Sequence, residues 1–519
     1  MTSPAWHERE SGLVTFTRNV GSRYALILVN ALIGLIVLPY NVSHLGKAAY
    51  GLWMLAATMT SYFTVLELGY GGAVVRFVAE YKARRDARSL NELLSTMYYV
   101  YCAMGVACYA LALVTAALLP YIFHLDAEQT HTGRLVLLMI ALQVALYFPF
   151  SMYGGVINGF EQYYVNNVVG TAFNVATAAV NVLVLWLGYG LVELVAATTV
   201  MRVLPFFAYR RNAYKVFPDL RLAWSLVRRA RFREVTGFSA YLAVIDWSAR
   251  LNYATDAFYL GVFMNTAAVA VYAIAQRLAD ALLRMTNQLH TFLFPAVVYH
   301  AVEGRTEGQQ HLLITANRFQ LAIAVGLCGA IGAVADVLIP AWVGPGFEDS
   351  VLAVQILAFV VVLRAWIAMP STVLKGNNQH RWLAAIAFAG AVANLLLSIP
   401  LVKSWGIPGV AIGTAIPVTV TCAGMIFPRA CRVVGLGVAR GYRLIVWPAV
   451  WPALVVMTAL FVTRQFVPPR LSLVLAHIAA GGTLYAAIFL RFGLSHPERQ
   501  WMTSAVHQLW RRDARLAVA

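Results

Sequence analysis

An all-α integral membrane protein of about fourteen transmembrane helices is the fold class this sequence predicts. Three observations lead there. Of its 519 residues, 61% are hydrophobic and only 12% are charged, against roughly 25% charged in a soluble globular protein. Apolar runs of span length follow one another from residue 22 to residue 492. The positive charges gather between alternate runs, as they do in polytopic proteins.

Composition bounds the rest. A mean hydropathy of +0.70 means that most of the surface faces lipid. The balance is basic, 39 Lys and Arg against 22 Asp and Glu, which in a soluble chain would raise nucleic acid as a partner. Here membrane orientation is the first explanation to test. Cys102, Cys108, Cys328, Cys422 and Cys431 are scattered in or beside apolar runs. They form no CxxC pair and no Cys/His cluster, so neither disulfide nor metal is expected. No cleavable leader is expected either, because the first long apolar run is already of full span length.

Crossing the hydrocarbon layer takes about 20 mostly apolar residues. Such runs occur at 22–41, 50–75, 94–120, 134–158, 166–188, 190–209, 236–263, 267–297, 312–340, 350–374, 382–402, 408–428, 444–463 and 472–492. With the N-terminus inside, the cytoplasmic segments hold 29 Lys and Arg, the external loops 5, and the spans or their ends the remaining 5. That asymmetry places both termini in the cytoplasm. It also absorbs nearly all of the positive charge, so no nucleic acid partner is expected. Two cytoplasmic segments, 76–93 and 220–235, mix apolar and basic residues at helical spacing. They read as amphipathic helices on an anionic inner leaflet, or as solvated extensions of the spans.

An internal repeat organises the first twelve spans. Ala48-Ala49 and Trp53 match Ala267-Ala268 and Tyr272 at an offset of 219, and Pro120 matches Pro340 at 220. VINGFEQ (156–162) matches VLKGNNQ (373–379) at 217, and the segment from Gly190 to Thr198 matches that from Gly406 to Thr414 at 216. Ordered matches at a near-constant offset mark two copies of one unit. Six spans per copy put both copies the same way up, with the pseudo-two-fold axis along the membrane normal and a central cavity between the lobes. The expected domains are therefore an N-lobe of spans 1–6 (1–210), a cytoplasmic amphipathic linker (211–235), a C-lobe of spans 7–12 (236–430), and spans 13–14 with a cytoplasmic tail (431–519).

Ionisable residues inside spans are costly and usually face a cavity, so each is a functional candidate. Asp246 and Arg250 lie four residues apart on span 7, with Tyr253 continuing their face. Arg277, Asp280, Arg284 and Gln288 recur at helical spacing on span 8. Arg364 is near the middle of span 10, and Arg23 falls on one stripe of span 1 with Asn30 and Asn41. Guanidinium is a planar fork, always charged, that binds phosphate bidentately. The cations therefore suit an anionic headgroup, while Asp246 with Arg250 and Asp280 with Arg284 also read as structural pairs. Exchange of those pairs during transport reconciles the two readings. Arg23, near a span end, equally suits snorkelling to the interface. Glu67 precedes Gly69, Gly71 and Gly72 and reads as a gate or coupling carboxylate, or as a partner for Arg76. Asp256 is off the main face of span 7. Prolines 39, 149, 295, 370, 400 and 417 in or near spans permit kinks.

Several chemistries are missing from the chain. There is no GxxxxGK[ST], HExxH or GxSxG, and no external loop is long enough to hold a catalytic domain, so transport is favoured over catalysis and no cofactor is expected.

Three segments carry a family resemblance: LELGYGGAVVRFVAEYKARRD (66–86), VINGFEQYYVNN (156–167) and ANLLLSIPLVKSWGIPGVAIGTAI (393–416). With the twelve-plus-two layout, the chain resembles the Wzx-type polysaccharide transporter (oligosaccharide flippase) family of the multidrug/oligosaccharidyl-lipid/polysaccharide exporter superfamily. It departs from that family's pattern at Glu67, where Asp is commoner. The resemblance implies movement of undecaprenyl-pyrophosphate-linked oligosaccharide to the outer leaflet by alternating access in a bacterial inner membrane. By location it implies substrate contacts at Arg250, Arg277, Arg284 and Arg364, and by similarity to lipid II flippases also at Arg23. Glu67, Asp246 and Asp280 are the coupling or gating candidates, with a proton, sodium or no coupling ion all left open. Membrane lipids and a polysaccharide polymerase or co-polymerase are further expected partners. Competing readings are a drug or cation antiporter of the same superfamily, which usually has twelve spans and an acidic cavity, a membrane enzyme of glycan assembly, and a non-transporting scaffold.

Overall fold

The structure, a computed structural model, describes the backbone of residues 12–286 apart from 68 and 124, positions 297 and 303, residues 306–494, and residues 498 and 499. Side chains at 12–17, 20, 65 and 238–254 lie outside that description. The described residues form helices and connecting turns, with no strand among them. They fall into two compact units: residues 1–274 with 387–413, and residues 275–386 with 414–519.

In the first unit α1 (Gly12–Phe63) holds two expected spans in one 52-residue helix, bent at Gly46 (φ 76°, ψ 169°). A side chain there would be strained, so glycine lets the two arms join without a loop. The second expected span, 50–75, does not run through. The helix ends at Phe63, a 3₁₀ turn covers Thr64–Glu67, and α2 (Tyr70–Arg84) restarts after Gly69 in the left-handed region (φ 71°). Clustered glycines, each weakening a helix by about 1 kcal/mol relative to alanine, favour the break at this point.

Next come α3 (Ala87–Ile122), α4 (Ala127–Gly159), α5 (Tyr163–Trp186) and α6 (Leu191–Val216). Asp86 and Asp126 cap α3 and α4, accepting from the backbone N–H of Ser89 (3.0 Å) and Gln129 (2.7 Å). Gly188 takes φ 83° in the tight turn between α5 and α6. α3 packs on α4, and α4 on α6, around a core that includes Leu94, Met97, Tyr101, Phe148 and Val156, all buried.

A ladder of side-chain hydrogen bonds joins α1 to α5. Asn19 accepts from the Tyr164 N–H (2.8 Å) and donates to the Glu161 carbonyl (2.7 Å). Asn167 donates to Ser22 (2.9 Å), Asn174 to Asn30 (2.9 Å), and Tyr40 to the Val182 carbonyl (3.3 Å). The rungs ascend together in both helices, so α1 and α5 run parallel. Two odd-numbered spans should do so.

The amphipathic-helix reading of 220–235 is corrected. After α6 the chain runs extended as a strap over 217–228, with one 3₁₀ turn at Trp224–Leu226, and α7 (Arg229–Phe263) begins only at Arg229. The cause lies on α3, where Asn91, Ser95 and Thr96 are buried. Asn91 donates to the Asp219 carbonyl (2.8 Å) and accepts from the Arg221 N–H (2.8 Å). Ser95 donates to the Arg221 carbonyl (3.1 Å), and Thr96 accepts from the Arg228 N–H (3.0 Å). These side chains supply backbone partners that a helix would otherwise have to provide internally. The other amphipathic segment is also corrected in part: α2 turns Val74, Phe77, Val78 and Tyr81 into the protein core rather than toward lipid.

α7 packs on α1, α2 and α3. α8 (Thr266–Thr286) starts against the arm of α1 that follows Gly46, where a Cβ on Gly51 would lie 1.7 Å from the Thr266 carbonyl oxygen. Only glycine permits that approach.

The second unit contains the later part of α8, then α9 (Thr306–Ala333), α10 (Ala335–Val343) and α11 (Ser350–Gly376). The expected span 312–340 is thus broken near Val334. α12 (His380–Thr419) gives its middle, bent at Gly406 (φ 60°), to the first unit and its ends to the second. α13 (Phe427–Val433), α14 (Val438–Gly441), α15 (Trp447–Thr463) and α16 (Leu471–Ile488) complete the chain, with π-helical turns at Val420–Ile426, Tyr442–Val446 and Phe489–Gly493. α9 packs on α11 and α15, and α15 on α16. Arg318 on α9 makes a buried ion pair with Glu498 (2.7 Å) and donates to the Leu444 carbonyl (2.8 Å). The last two spans are therefore clasped to α9.

Eleven of the described helices are long and apolar enough to cross a membrane. Expected spans 1 and 2 share α1, and expected spans 11 and 12 share the helical run His380–Val433. Expected span 7 corresponds to α7, 35 residues long but outside those eleven.

Candidate functional site

Four of the charges expected inside the membrane meet in the second unit. Arg277, Asp280 and Arg284 recur on α8 at helical spacing, with both arginines exposed and Asp280 half-buried. The Arg284 Nε donates to the Asp280 backbone carbonyl at 3.3 Å. The Asp280 carboxylate interacts electrostatically with Arg284, Arg277 and Arg364, the last contributed by α11. Among these four groups the cations outnumber the carboxylate three to one. Cationic groups gathered within membrane-spanning helices suit an anionic ligand. Arg364 stands two residues before Trp366, whose ring packs on Phe427 (4.7 Å) and Tyr442 (5.6 Å). That aromatic cluster holds α11 and so fixes the backbone from which Arg364 extends.

Other candidates sit in the first unit. Glu67 occupies the last position of the 3₁₀ turn that interrupts span 2. A Cβ on Gly71 would come 2.6 Å from its Oε1, so the glycine makes room for the carboxylate, which interacts electrostatically with Tyr101. Arg23 is exposed on α1, with no acidic partner among the described residues. Asp246, Arg250 and Tyr253 are on the helical backbone of α7, but their side chains lie outside the described residues, as does Gln288 entirely. Asp256, given little weight from sequence, is 3% exposed and accepts a short hydrogen bond from the Tyr272 hydroxyl.

Sequence reasoning missed a clasp at the start of α7. Arg231 on α7 meets Glu234 (3.2 Å) and Glu92 (3.5 Å), donates to Ser89 (2.7 Å), and lies over the Tyr81 ring. Arg88 and Arg228 also approach Glu92, at 3.6 and 3.8 Å. Burial works against the Arg231 charge, but Glu234, Tyr81 and Glu92 outweigh it and hold the group above its ordinary pKa. Burial pushes the Tyr81 hydroxyl up. The hydrogen bonds from Ser89 hold the Asp86 carboxyl below the usual carboxylate range. Arg18 was missed as well. Its guanidinium stacks on Tyr164, 4.1 Å from the ring centroid. It sits one and a half turns before Arg23, and only its place relative to α5 distinguishes it from an ordinary interfacial arginine.

Comparison with known proteins places this geometry in context. Residues 16–299 match the family model described as polysaccharide biosynthesis protein. A probable flippase of Haloferax volcanii, AglR, is 23% identical over 482 residues, which cover 90% of this chain and 94% of that protein. A putative O-antigen transporter of Shigella flexneri is 19% identical over 419 residues, 78% of this chain and 96% of the relative. Among solved structures, the lipid II flippase MurJ in an inward closed conformation has the same fold. It superposes with a TM-score of 0.69 at 11% identity, over 91% of this chain and 98% of that one.

Proposed function

The chain belongs to the polysaccharide biosynthesis protein family, and from that premise we propose that it is a flippase for lipid-linked oligosaccharide. Its substrate is a glycan on polyprenyl pyrophosphate, undecaprenyl pyrophosphate in a bacterial cell, moved from the inner to the outer leaflet of the cytoplasmic membrane. Both termini stay in the cytoplasm, as the 29-to-5 distribution of Lys and Arg supports. The observation that carries the reading is the gathering of Arg277, Arg284 and Arg364, from two helices, within electrostatic range of Asp280. A pyrophosphate brings negative charge to these cations, and the planar forks of arginine match its oxygens.

The mechanism follows from that balance. Without substrate, Asp280 holds the three guanidiniums in place. When the pyrophosphate arrives, the arginines exchange one carboxylate for the phosphate oxygens, and the local charge falls toward zero. A neutral complex crosses the hydrocarbon region at far lower cost than either charged partner alone. Alternating access, with the two like-facing sequence copies as its arms, then exposes the site to each leaflet in turn. Glu67, at an interrupted helix, is the gating candidate, because a broken span is where backbone can move at membrane depth. The names of the flippase and O-antigen transporter relatives support the same reading.

Complementation tests it. In a host lacking its own copy of this protein, wild type restores surface glycan, whereas Arg284→Ala and Arg364→Ala reduce it about tenfold or more at equal expression, each losing a charge-assisted contact of about 1.5–3 kcal/mol. Normal polymer from both variants contradicts the reading.

A further inference from the structure

A second feature of the first unit concerns the lipid part of such a substrate. Between α1 and α5 runs an open groove of about 580 Å³ without a polar side chain in its lining. Val29, Ile33 and Val37 form one wall, and Ala178, Ala179 and Trp186 the other. Its size is that of a ligand site, roughly 300–1,000 Å³. The hydrogen-bonded ladder from Asn19 to Tyr40 holds the two helices together along the groove, so its shape is built into the unit.

The stripe that enters this groove begins with a cation. Arg18, Ala25, Val29, Leu32 and Ile36 are spaced by near-integral helical turns, and therefore share one face of α1. Arg18 is oriented at the cytoplasmic end by its stacking on Tyr164. The rise of an α-helix puts Val29 about 16 Å and Ile36 about 27 Å beyond Arg18 along the axis. One leaflet of hydrocarbon is only about 15 Å deep. With the headgroup and glycerol included, a phospholipid whose phosphate sits at Arg18 reaches about 20 Å, past Val29 but short of Ile36 at the far end of the groove. A chain anchored at Arg18 and filling the groove as far as Ile36 must reach past the midplane, and a long polyprenyl chain does so.

We propose that the α1–α5 groove holds the distal isoprenoid chain of a polyprenyl diphosphate whose phosphates are captured at Arg18, a loading site in the inner leaflet that precedes transfer to the arginines of α8 and α11. The proposal rests on the flippase reading above and adds to it a recognition of chain length. Because the groove continues through the middle of the membrane, the tail keeps one track while its headgroup changes leaflet.

Binding of two probes to the purified full-length protein tests the idea: undecaprenyl diphosphate, and geranyl diphosphate, whose chain ends well before Val29. Wild type is expected to prefer the long chain by about tenfold or more, since several buried methylenes separate the two. Ala179→Phe, which fills the groove, is expected to abolish that preference and leave geranyl diphosphate binding unchanged. Equal binding of both probes to wild type, or a preference that survives Ala179→Phe, overturns the groove and leaves the flippase reading standing. Binding of neither overturns both. As a check needing no variant, undecaprenyl diphosphate with a photoreactive group at its distal end should crosslink wild type within 29–37 or 175–186. Crosslinks confined to other segments, or abolished by phosphatidylglycerol as readily as by unlabelled undecaprenyl diphosphate, overturn the proposal.

Discussion

Asp280 is one carboxylate among three guanidiniums, and its removal should act in the opposite direction from theirs. Asp280→Asn removes a carboxylate that competes with the substrate for the arginines, so a polyprenyl diphosphate glycan should bind more tightly and leave more slowly. Equilibrium binding and turnover measured together on the same preparation check this; weaker binding by Asp280→Asn contradicts the exchange. At the start of α3, Asp86→Ala removes the helix cap and should cost about 0.5–2 kcal/mol of stability near neutral pH. The Asp86 pKa is depressed in the folded state. Its contribution is thus complete above the unfolded value near 3.8 and is lost as pH falls below it toward the folded value. Thermal unfolding of wild type and Asp86→Ala in detergent should therefore differ at pH 7 and converge in acid. The face of Arg277, Asp280 and Arg284 was legible in the sequence because helical spacing alone determines it. The arrival of Arg364 beside them was not, because it depends on how α11 packs.

The strap and the C-terminal clasp show what elements do that residue spacing cannot reveal. Asn91, Ser95 and Thr96 look like ordinary polar residues near a helix start, yet they convert an amphipathic sequence into an extended strap by supplying its backbone partners. Replacing Asn91 and Ser95 together with alanine should release 217–228, read as faster trypsin cleavage at Arg221 and Arg228; unchanged cleavage contradicts the stitching. At the other end, Arg318 and Glu498 are 7% and 12% exposed as side chains. Removing either leaves a buried uncompensated charge and should cost about 3–5 kcal/mol, whereas removing both should cost less than the sum. A double-mutant cycle followed by thermal unfolding measures this, and additive losses would show that the pair does not couple the last two spans to α9. The break in span 2 was half legible: three glycines after Glu67 pointed to it, but hydropathy ran on across it and made one long span of two helices.

For the whole molecule, the low charge content and the distribution of Lys and Arg gave the membrane fold before any helix was located. Hydropathy merged or divided spans at Gly46, Glu67, Val334 and Gly406, because backbone geometry at a bend leaves little trace in an apolar average. The charges left inside the spans carry the functional claim. The most direct test uses vesicles containing the purified protein and a fluorescent oligosaccharide on polyprenyl diphosphate, with movement between leaflets read by quenching from outside. Wild type should move this lipid and should not move the same oligosaccharide on an uncharged polyprenyl ether. The combined Arg277→Ala, Arg284→Ala and Arg364→Ala variant, reconstituted in equal amount, should be slower by at least about tenfold. Transport by that variant at the wild-type rate, or equally fast movement of the uncharged lipid, would contradict the account.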